Sequence, residues 1–200
     1  MNPLMIDTIF FDVGGVLVTD LVDRKYQDLA RKYRLDVPTL LKTRAKFRPP
    51  ADLGKISDAE FWRRCLEEMG ITAQADDFEL ESYYQEVEGS REIVLGLKAK
   101  GYHLAIITDD SREMALVRRR RYGYDGLFEK VIVSAECGMV KPNEGIYLYA
   151  LQQMQATAEK SLFIDNLEIN LAGARAVHMH TLLFEQPKKL NDDLIALGLL

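Results

Sequence analysis

Thr8-Ile9-Phe10-Phe11-Asp12-Val13-Gly14-Gly15-Val16-Leu17 decides how this chain reads. A β-branched and aromatic run, Thr8 to Phe11, ends on a carboxylate, and a glycine turn opens immediately after it. The run has the composition of a buried strand. Asp12 would then stand outside the carboxyl end of a parallel strand, where open α/β sheets hold their ligands. Glycine lets the backbone beside it approach a ligand closely. The same residues also suit an aspartate that merely caps a turn, so the weight of the motif depends on the rest of the chain.

Further along, β-rich runs at 103–108, 131–134, 161–165 and 181–184 alternate with helical patterns at 112–122, 144–154 and 167–177. This alternation predicts an α/β fold, a doubly wound parallel sheet with right-handed crossovers and helices on both faces. Gly101 and Gly123 stand just past helical patterns, where left-handed caps are expected.

The first connection is different, because residues 18–90 carry several helical patterns. Val22, Tyr26, Leu29, Ala30 and Tyr33 recur at helical spacing. Ser57-Asp58-Ala59-Glu60 reads as a capping box ahead of Phe61, Cys65, Leu66 and Met69, with Gly70 closing that helix. A third pattern runs through Phe78, Tyr83, Tyr84 and Val87, and Arg48-Pro49-Pro50-Ala51-Asp52-Leu53-Gly54 reads as a loop. The expected organisation is a core domain, residues 1–17 and 91–200, with a helical cap domain, residues 18–90, inserted after the first strand.

Bulk properties narrow the function. A chain of 200 residues, 48% hydrophobic and 28% charged, fits one core domain plus a modest insertion. Net charge of -5 speaks against a general nucleic-acid binder, which uses a basic face. Cys65 and Cys137 make no disulfide framework and fit a reducing compartment. The first residues show no basic leader, and no apolar run is long enough to span a bilayer. A cytoplasmic protein without membrane or nucleic-acid partners is expected; oligomeric state is not legible.

Four ordered segments, Phe11-Asp12-Val13-Gly14-Gly15-Val16-Leu17, Ile106-Ile107-Thr108-Asp109, Gly138-Met139-Val140-Lys141-Pro142 and Phe163-Ile164-Asp165-Asn166, resemble the four motifs of the haloacid dehalogenase-like (HAD) hydrolase superfamily. The likeness runs from residue 6 to about 184. Gly54-Lys-Ile-Ser-Asp-Ala-Glu-Phe61 and Gly138-Met-Val-Lys-Pro-Asn-Glu-Gly-Ile-Tyr147 are similar to the helical-cap phosphatase branch of bacterial α-glucose-1-phosphate phosphatase-like proteins, which also carries glycine two residues after the nucleophile. The resemblance implies a Rossmann-like core and a Mg2+-dependent phosphomonoesterase acting on a small phosphorylated metabolite, such as a sugar phosphate, through an aspartyl-phosphate. Asp12 would be the nucleophile, with Thr108 and Lys141 completing the catalytic set. Thr108, Asp109 and Lys141 would hold the phosphate. Magnesium would take Asp12, the Gly14 carbonyl and an oxygen from the Asp165-Asn166 pair. Plainer roles exist for each: a strand end for Thr108, helix caps before Arg112 for Asp109 and Asp110, an exposed lysine at 141. Pro142 would set the first turn of the helix that follows.

The chain departs from the family pattern at the chemistry itself. Gly14 stands where most of these phosphatases carry the aspartate that protonates the leaving group, help worth about 10²–10⁴-fold. Leaving groups stable as anions, such as sugar 1-phosphates and aryl phosphates, suit that loss. Asn166 replaces an acid, so weaker magnesium binding is expected, and Asp109 adds charge where asparagine is common. The alternatives are a phosphate- or metabolite-binding regulatory protein without turnover, and a haloacid dehalogenase, against which the Asp165-Asn166 pair argues.

Arg118-Arg119-Arg120-Arg121 points in several directions around a helix and reads as solvated salt-bridging. Arg44, Lys46 and Arg48 are candidates to reach a substrate's anionic end. His178 and His180 sit at strand-like spacing without further zinc ligands, and Cys137 reads as a small buried residue.

Overall fold

The computed structural model describes residues 5–19, 22–72 and 83–200. Strands β1 (Thr8–Phe11), β2 (His103–Thr108), β3 (Lys130–Val133), β4 (Ser161–Asp165) and β5 (His180–Leu183) form one five-stranded parallel sheet in the order β3-β2-β1-β4-β5. Along the central strands the side chains alternate between two buried faces. Ile9 and Phe11 join Leu104, Ile106, Leu162 and Ile164 on one side; Phe10 joins Ala105, Ile107 and Phe163 on the other.

Helices α1 (Val22–Tyr33), α2 (Val37–Asp52) and α3 (Asp58–Glu68) lie in the chain between β1 and α4 (Ser90–Ala99). The later helices are α5 (Arg112–Tyr122), α6 (Tyr124–Leu127), α7 (Ser134–Cys137), α8 (Glu144–Met154), α9 (Glu168–Ala176) and α10 (Pro187–Ala196). Ile93, Val94, Leu97, Leu190 and Leu194 pack α4 and α10 into the first face, while Ile146, Tyr147, Leu171 and Ala174 pack α8 and α9 into the second. Gly101 and Gly123 hold φ of 89° and 65°, as their positions past α4 and α5 demand.

Register places the site. Phe11 pairs with Ile106 on one side and Ile164 on the other, and the Asp12 N–H donates to the Ile164 carbonyl at 2.9 Å. Asp12 and Asp165 therefore leave adjacent strands at the same level. The order reverses at β1, which opens a crevice at the carboxyl ends of β1, β2 and β4. The chain leaves that crevice and returns through adjacent linkers. Thr19 N–H donates to the Gln85 carbonyl at 2.8 Å and Val87 N–H to that of Leu17 at 3.0 Å, around an antiparallel Val18–Glu86 bridge.

The inserted helices depart from expectation. Residues 48–52, read as loop because of Pro49 and Pro50, are the last turn of α2. Both prolines fall where their carbonyls are useful, accepting from Leu53 and Lys55 N–H at 3.1 and 2.8 Å. An Arg48–Asp52 ion pair at 2.6 Å and the buried Ala51 hold the turn. Ser57 caps α3, accepting from Glu60 N–H at 3.2 Å, but the Glu60 carboxylate binds Arg63 and Arg64 instead of completing the capping box. Gly70 follows α3 at φ 74°. Of the third pattern, Phe78 lies outside the described residues, and Tyr84 to Val87 form the returning linker, not a helix. In the core, β3 and β5 begin one residue earlier than expected, a boundary drift. His178 is not in a strand; it takes φ 67° in the turn after α9. Among the described residues no helix is long and apolar enough to cross a membrane.

Candidate active site

A cavity of about 290 Å³ occupies the crevice, with β-strand ends on one side and α1, α2 and α3 on the other. Asp12 follows β1 directly and is 7% exposed. Lys141, between α7 and α8, inserts its ammonium between two carboxylates, donating to Asp12 Oδ1 at 2.5 Å and to Asp165 Oδ2 at 2.9 Å. Its backbone N–H donates to Asp109 Oδ1 at 3.0 Å. Asp165 is wholly buried and also accepts from Leu167 N–H at 2.7 Å and Asn170 Nδ2 at 3.0 Å, so both its oxygens have protein donors. Thr108, buried, and Asp109 line the same cavity from the end of β2.

Two local expectations are corrected. Pro142 does not begin α8; it stands in a turn ahead of Asn143, whose side chain caps the helix by accepting from Gly145 N–H at 2.8 Å. Ser111, not Asp109 or Asp110, caps α5, accepting from Met114 N–H at 3.2 Å. Asp109 is thereby left for Lys141 and Asp110 for the arginines.

Three carboxylates face one ammonium here. Burial pushes the Asp12 carboxyl above its ordinary value, with Lys141 opposing and Asp165 adding to the rise. Burial likewise pushes Asp109 up to about 6, again against Lys141. Burial works against the charge on Lys141, but Asp12, Asp165 and Asp109 outweigh it and hold that amine firmly protonated. A surplus of buried negative charge suits a divalent cation. Asn166 adds a second sign: its Oδ1 is buried and has no hydrogen-bond partner. Its amide rests on Gly15, where a Cβ would lie 2.6 Å from Nδ2, and Gly15 also needs its freedom for φ 79°. Among the described residues no cluster of three or more His, Cys, Asp or Glu is suited to a metal. Asp12, Gly14 and Asn166 all line the cavity; carboxylate, carbonyl and amide oxygens from these residues would make a set of the hard, all-oxygen kind that magnesium takes.

The raised Asp109 has a consequence for stability. The folded chain keeps a proton that the unfolded chain releases between about pH 4 and pH 6, so stability falls as pH rises through that window. Asp109→Asn keeps an acceptor for the Lys141 N–H and removes the charge. Urea unfolding is expected to find it more stable than the parent at pH 7, by up to about 3 kcal/mol, and level with it near pH 4. No gain at pH 7 would mean that Asp109 carries no such strain.

Around the cavity wall, Asp110 is 2% exposed, accepts from Arg118 Nη1 at 2.7 Å and lies 3.5 Å from Arg48 Nη2. Arg48 also pairs with Asp52 at 2.6 Å and Asp58 at 3.3 Å. This network ties α2 to α5. The arginine run is thus not uniformly solvated: Arg118 lies 4.3 Å from the Tyr84 ring with its side chain 12% exposed, while Arg119 pairs with Asp125 at 2.8 Å. Asp110→Ala strands buried guanidinium charge and is expected to cost about 3–5 kcal/mol, seen as a lowered urea midpoint. A loss within the surface range of about 0.5 kcal/mol would show the pair to be idle.

Of the cations noted in the insertion, Arg44 and Arg48 line the cavity, whereas Lys46 pairs with Glu68 at 2.5 Å. Cys137, expected to be buried, is half-buried, and that burial pushes its thiol up, in keeping with an inert side chain. Lys25, Tyr26, Trp62, Arg118 and Asn170 also line the cavity without having been singled out for it. Tyr26 sits at an apolar helical position and Trp62 follows another, so both pass for core; Asn170 stands in the first turn of α9, just past the Asp165-Asn166 pair, and was open to detection from that proximity.

A doubly wound parallel sheet with a buried Asp-Lys-Asp array at its switch point defines the class of fold and site. The model of haloacid dehalogenase-like hydrolases matches residues 6–178, and the chain belongs to that family. It is similar to the glyceraldehyde 3-phosphate phosphatase of Pyrococcus abyssi, 34% identical over 54% of this chain and 45% of that protein. It is also similar to a sesquiterpene phosphatase of Aspergillus oryzae, 25% identical over 84% and 85% of the two chains. Among solved structures, a variant HAD family enzyme of Bacteroides thetaiotaomicron, in complex with magnesium and inorganic phosphate, shares the fold with a TM-score of 0.75 at 18% identity, covering 90% of this chain and 95% of that one. The chain spans about half the length of the first curated relatives it matches.

Proposed function

We propose that this chain is a magnesium-dependent phosphomonoesterase that acts on a small phosphorylated metabolite through an aspartyl-phosphate on Asp12, with residues 18–90 serving as a helical cap. The Lys141 ammonium held between Asp12 and Asp165 carries the assignment. Buried beside the nucleophile, it offsets the repulsion between that carboxylate and an arriving phosphate. Asp12 attacks phosphorus, the leaving group departs, and water then opens the acyl phosphate to regenerate the carboxylate. Thr108 and Lys141 donate to the phosphate oxygens. Asp165, with both oxygens taken by protein donors, positions Lys141 and Asn170. Asp12, the Asn166 amide oxygen and the Gly14 carbonyl hold magnesium, which when bound supplies positive charge and orientation to the phosphate. Several matched relatives are named as phosphatases, which supports the reaction class.

The test is phosphate release from sugar phosphates, nucleotides and an aryl phosphate, with and without magnesium after chelation. Release that requires the metal supports the proposal, and a lead for aryl and sugar 1-phosphates supports the argument from Gly14. Tight binding of these compounds with no release would replace the enzyme with a metabolite-binding protein, the reading that Gly14 and Asn166 favour. Halide release from a 2-haloacid without metal would replace it with a dehalogenase.

A further inference from the structure

We infer that the substrate carries a second anionic group, a carboxylate or another phosphate, held on the α1–α3 wall of the cavity by Arg44 and the Trp62 indole, with Lys25 adding charge; this deepens the phosphatase proposal and rests on it. Trp62 is 3% exposed, yet its Nε1 is buried without a hydrogen-bond partner on a residue that lines the cavity. Arg44, another lining residue, leaves its Nε in the same condition. Native proteins pair nearly all buried donors, so two such groups on one wall call for a ligand. They sit together: the Tyr26 ring lies 5.5 Å from that of Trp62 and 5.8 Å from the Arg44 guanidinium. Lys25, 5% exposed, lines the same cavity.

The chemistry of the wall selects the occupant. Trp, Arg and Lys donate hydrogen bonds and accept none. A hydroxylated tail brings donors of its own, whereas a carboxylate or phosphate brings acceptors alone and the complementary charge. Three cations of the cavity are already matched to carboxylates: Arg48 with Asp52, Asp58 and Asp110, Arg118 with Asp110, and Lys141 with Asp12 and Asp165. Among the described residues Arg44 makes no ion pair within 4 Å; it bonds to the Tyr26 side chain, and Asp52 feels its charge. The cavity, about 290 Å³, falls at the lower end of the ~300–1,000 Å³ range of small-molecule sites, which suits a small metabolite.

Glycerol 3-phosphate, 3-phosphoglycerate and glycerol 1,3-bisphosphate share a primary phosphate and differ in the tail: neutral, carboxylate or phosphate. One or both charged compounds are expected to exceed the neutral one in kcat/KM by about tenfold or more, and the two arms tell carboxylate from phosphate. Arg44→Met and Trp62→Phe are expected to bring that ratio towards one. Phenyl phosphate serves as the reference for turnover itself. If it releases nothing, the phosphatase proposal fails, and calorimetric binding of the three compounds to the parent chain still reads the tail preference. Equal kcat/KM or equal affinity for charged and neutral tails overturns the inference, as does a ratio that neither variant moves.

Discussion

Asp12→Asn is expected to lower the rate of phosphate release by about 10⁴-fold or more, the scale seen when a nucleophile is deleted from a working catalytic set. An amide has nearly the same shape as the carboxylate and still offers an oxygen to the Lys141 ammonium, which lies 2.5 Å from Asp12 Oδ1 in the parent. Asp165 still pairs with the ammonium at 2.9 Å, so the substitution does not leave Lys141 as an unpaired buried charge. The loss therefore belongs to chemistry. Two measurements check it: steady-state phosphate release by both proteins, and mass spectrometry of acid-quenched turnover mixtures, where only the parent should carry a phosphoryl group on the peptide that contains residue 12. Release within tenfold of the parent would mean that water attacks the substrate directly and that Asp12 is not the nucleophile.

Gly14→Asp is expected to act in the opposite direction. A Cβ built on Gly14 meets nothing within 4 Å, and Gly14 is not among the glycines held at positive φ. The residue lines the cavity two positions after Asp12. The Cβ of an aspartate there meets no neighbour, and its carboxyl offers the proton that alkyl leaving groups need. General acid help is worth about 10²–10⁴-fold, so alkyl phosphates should gain by that order while aryl phosphates, which leave readily as anions, gain little. The ratio of kcat/KM between the two classes is the readout. An unchanged ratio would show that leaving-group protonation does not limit turnover in this site.

How much of this was legible depends on where each residue gets its instructions. Ile9, Phe10 and Phe11 announce a strand buried on two faces because both faces are written into consecutive apolar positions. Asp12, Lys141 and Asp165 could be named from ordered motifs, yet that one ammonium binds both acids depends on strand order and register, which no local pattern encodes. Helix α2 was missed because its C-terminal half, Lys46-Phe47-Arg48-Pro49-Pro50, argues against a helix locally; the Arg48 ion pairs and the burial of Leu40 and Ala51 override that preference. Trp62 was invisible for another reason. An indole beside Phe61 and Cys65 looks like core whether or not its N–H is satisfied, and only the folded arrangement reveals the orphaned donor. Asp110 looked like a cap because Ser111, one residue later, makes the same promise and keeps it.

The paired linkers at Val18 and Glu86 make the excursion between them a cassette. Its two ends are pinned side by side by the bonds from Thr19 to Gln85 and from Val87 to Leu17, on the threshold of the Gly14–Gly15 turn. Closing a longer or shorter loop across such a doorway changes the entropic cost only slowly with length. What hangs from the doorway can therefore change in length while the strand ends that form the floor of the site stay as they are. A protein engineer inherits the same freedom, with Val18 and Glu86 as the splice points for a foreign lid.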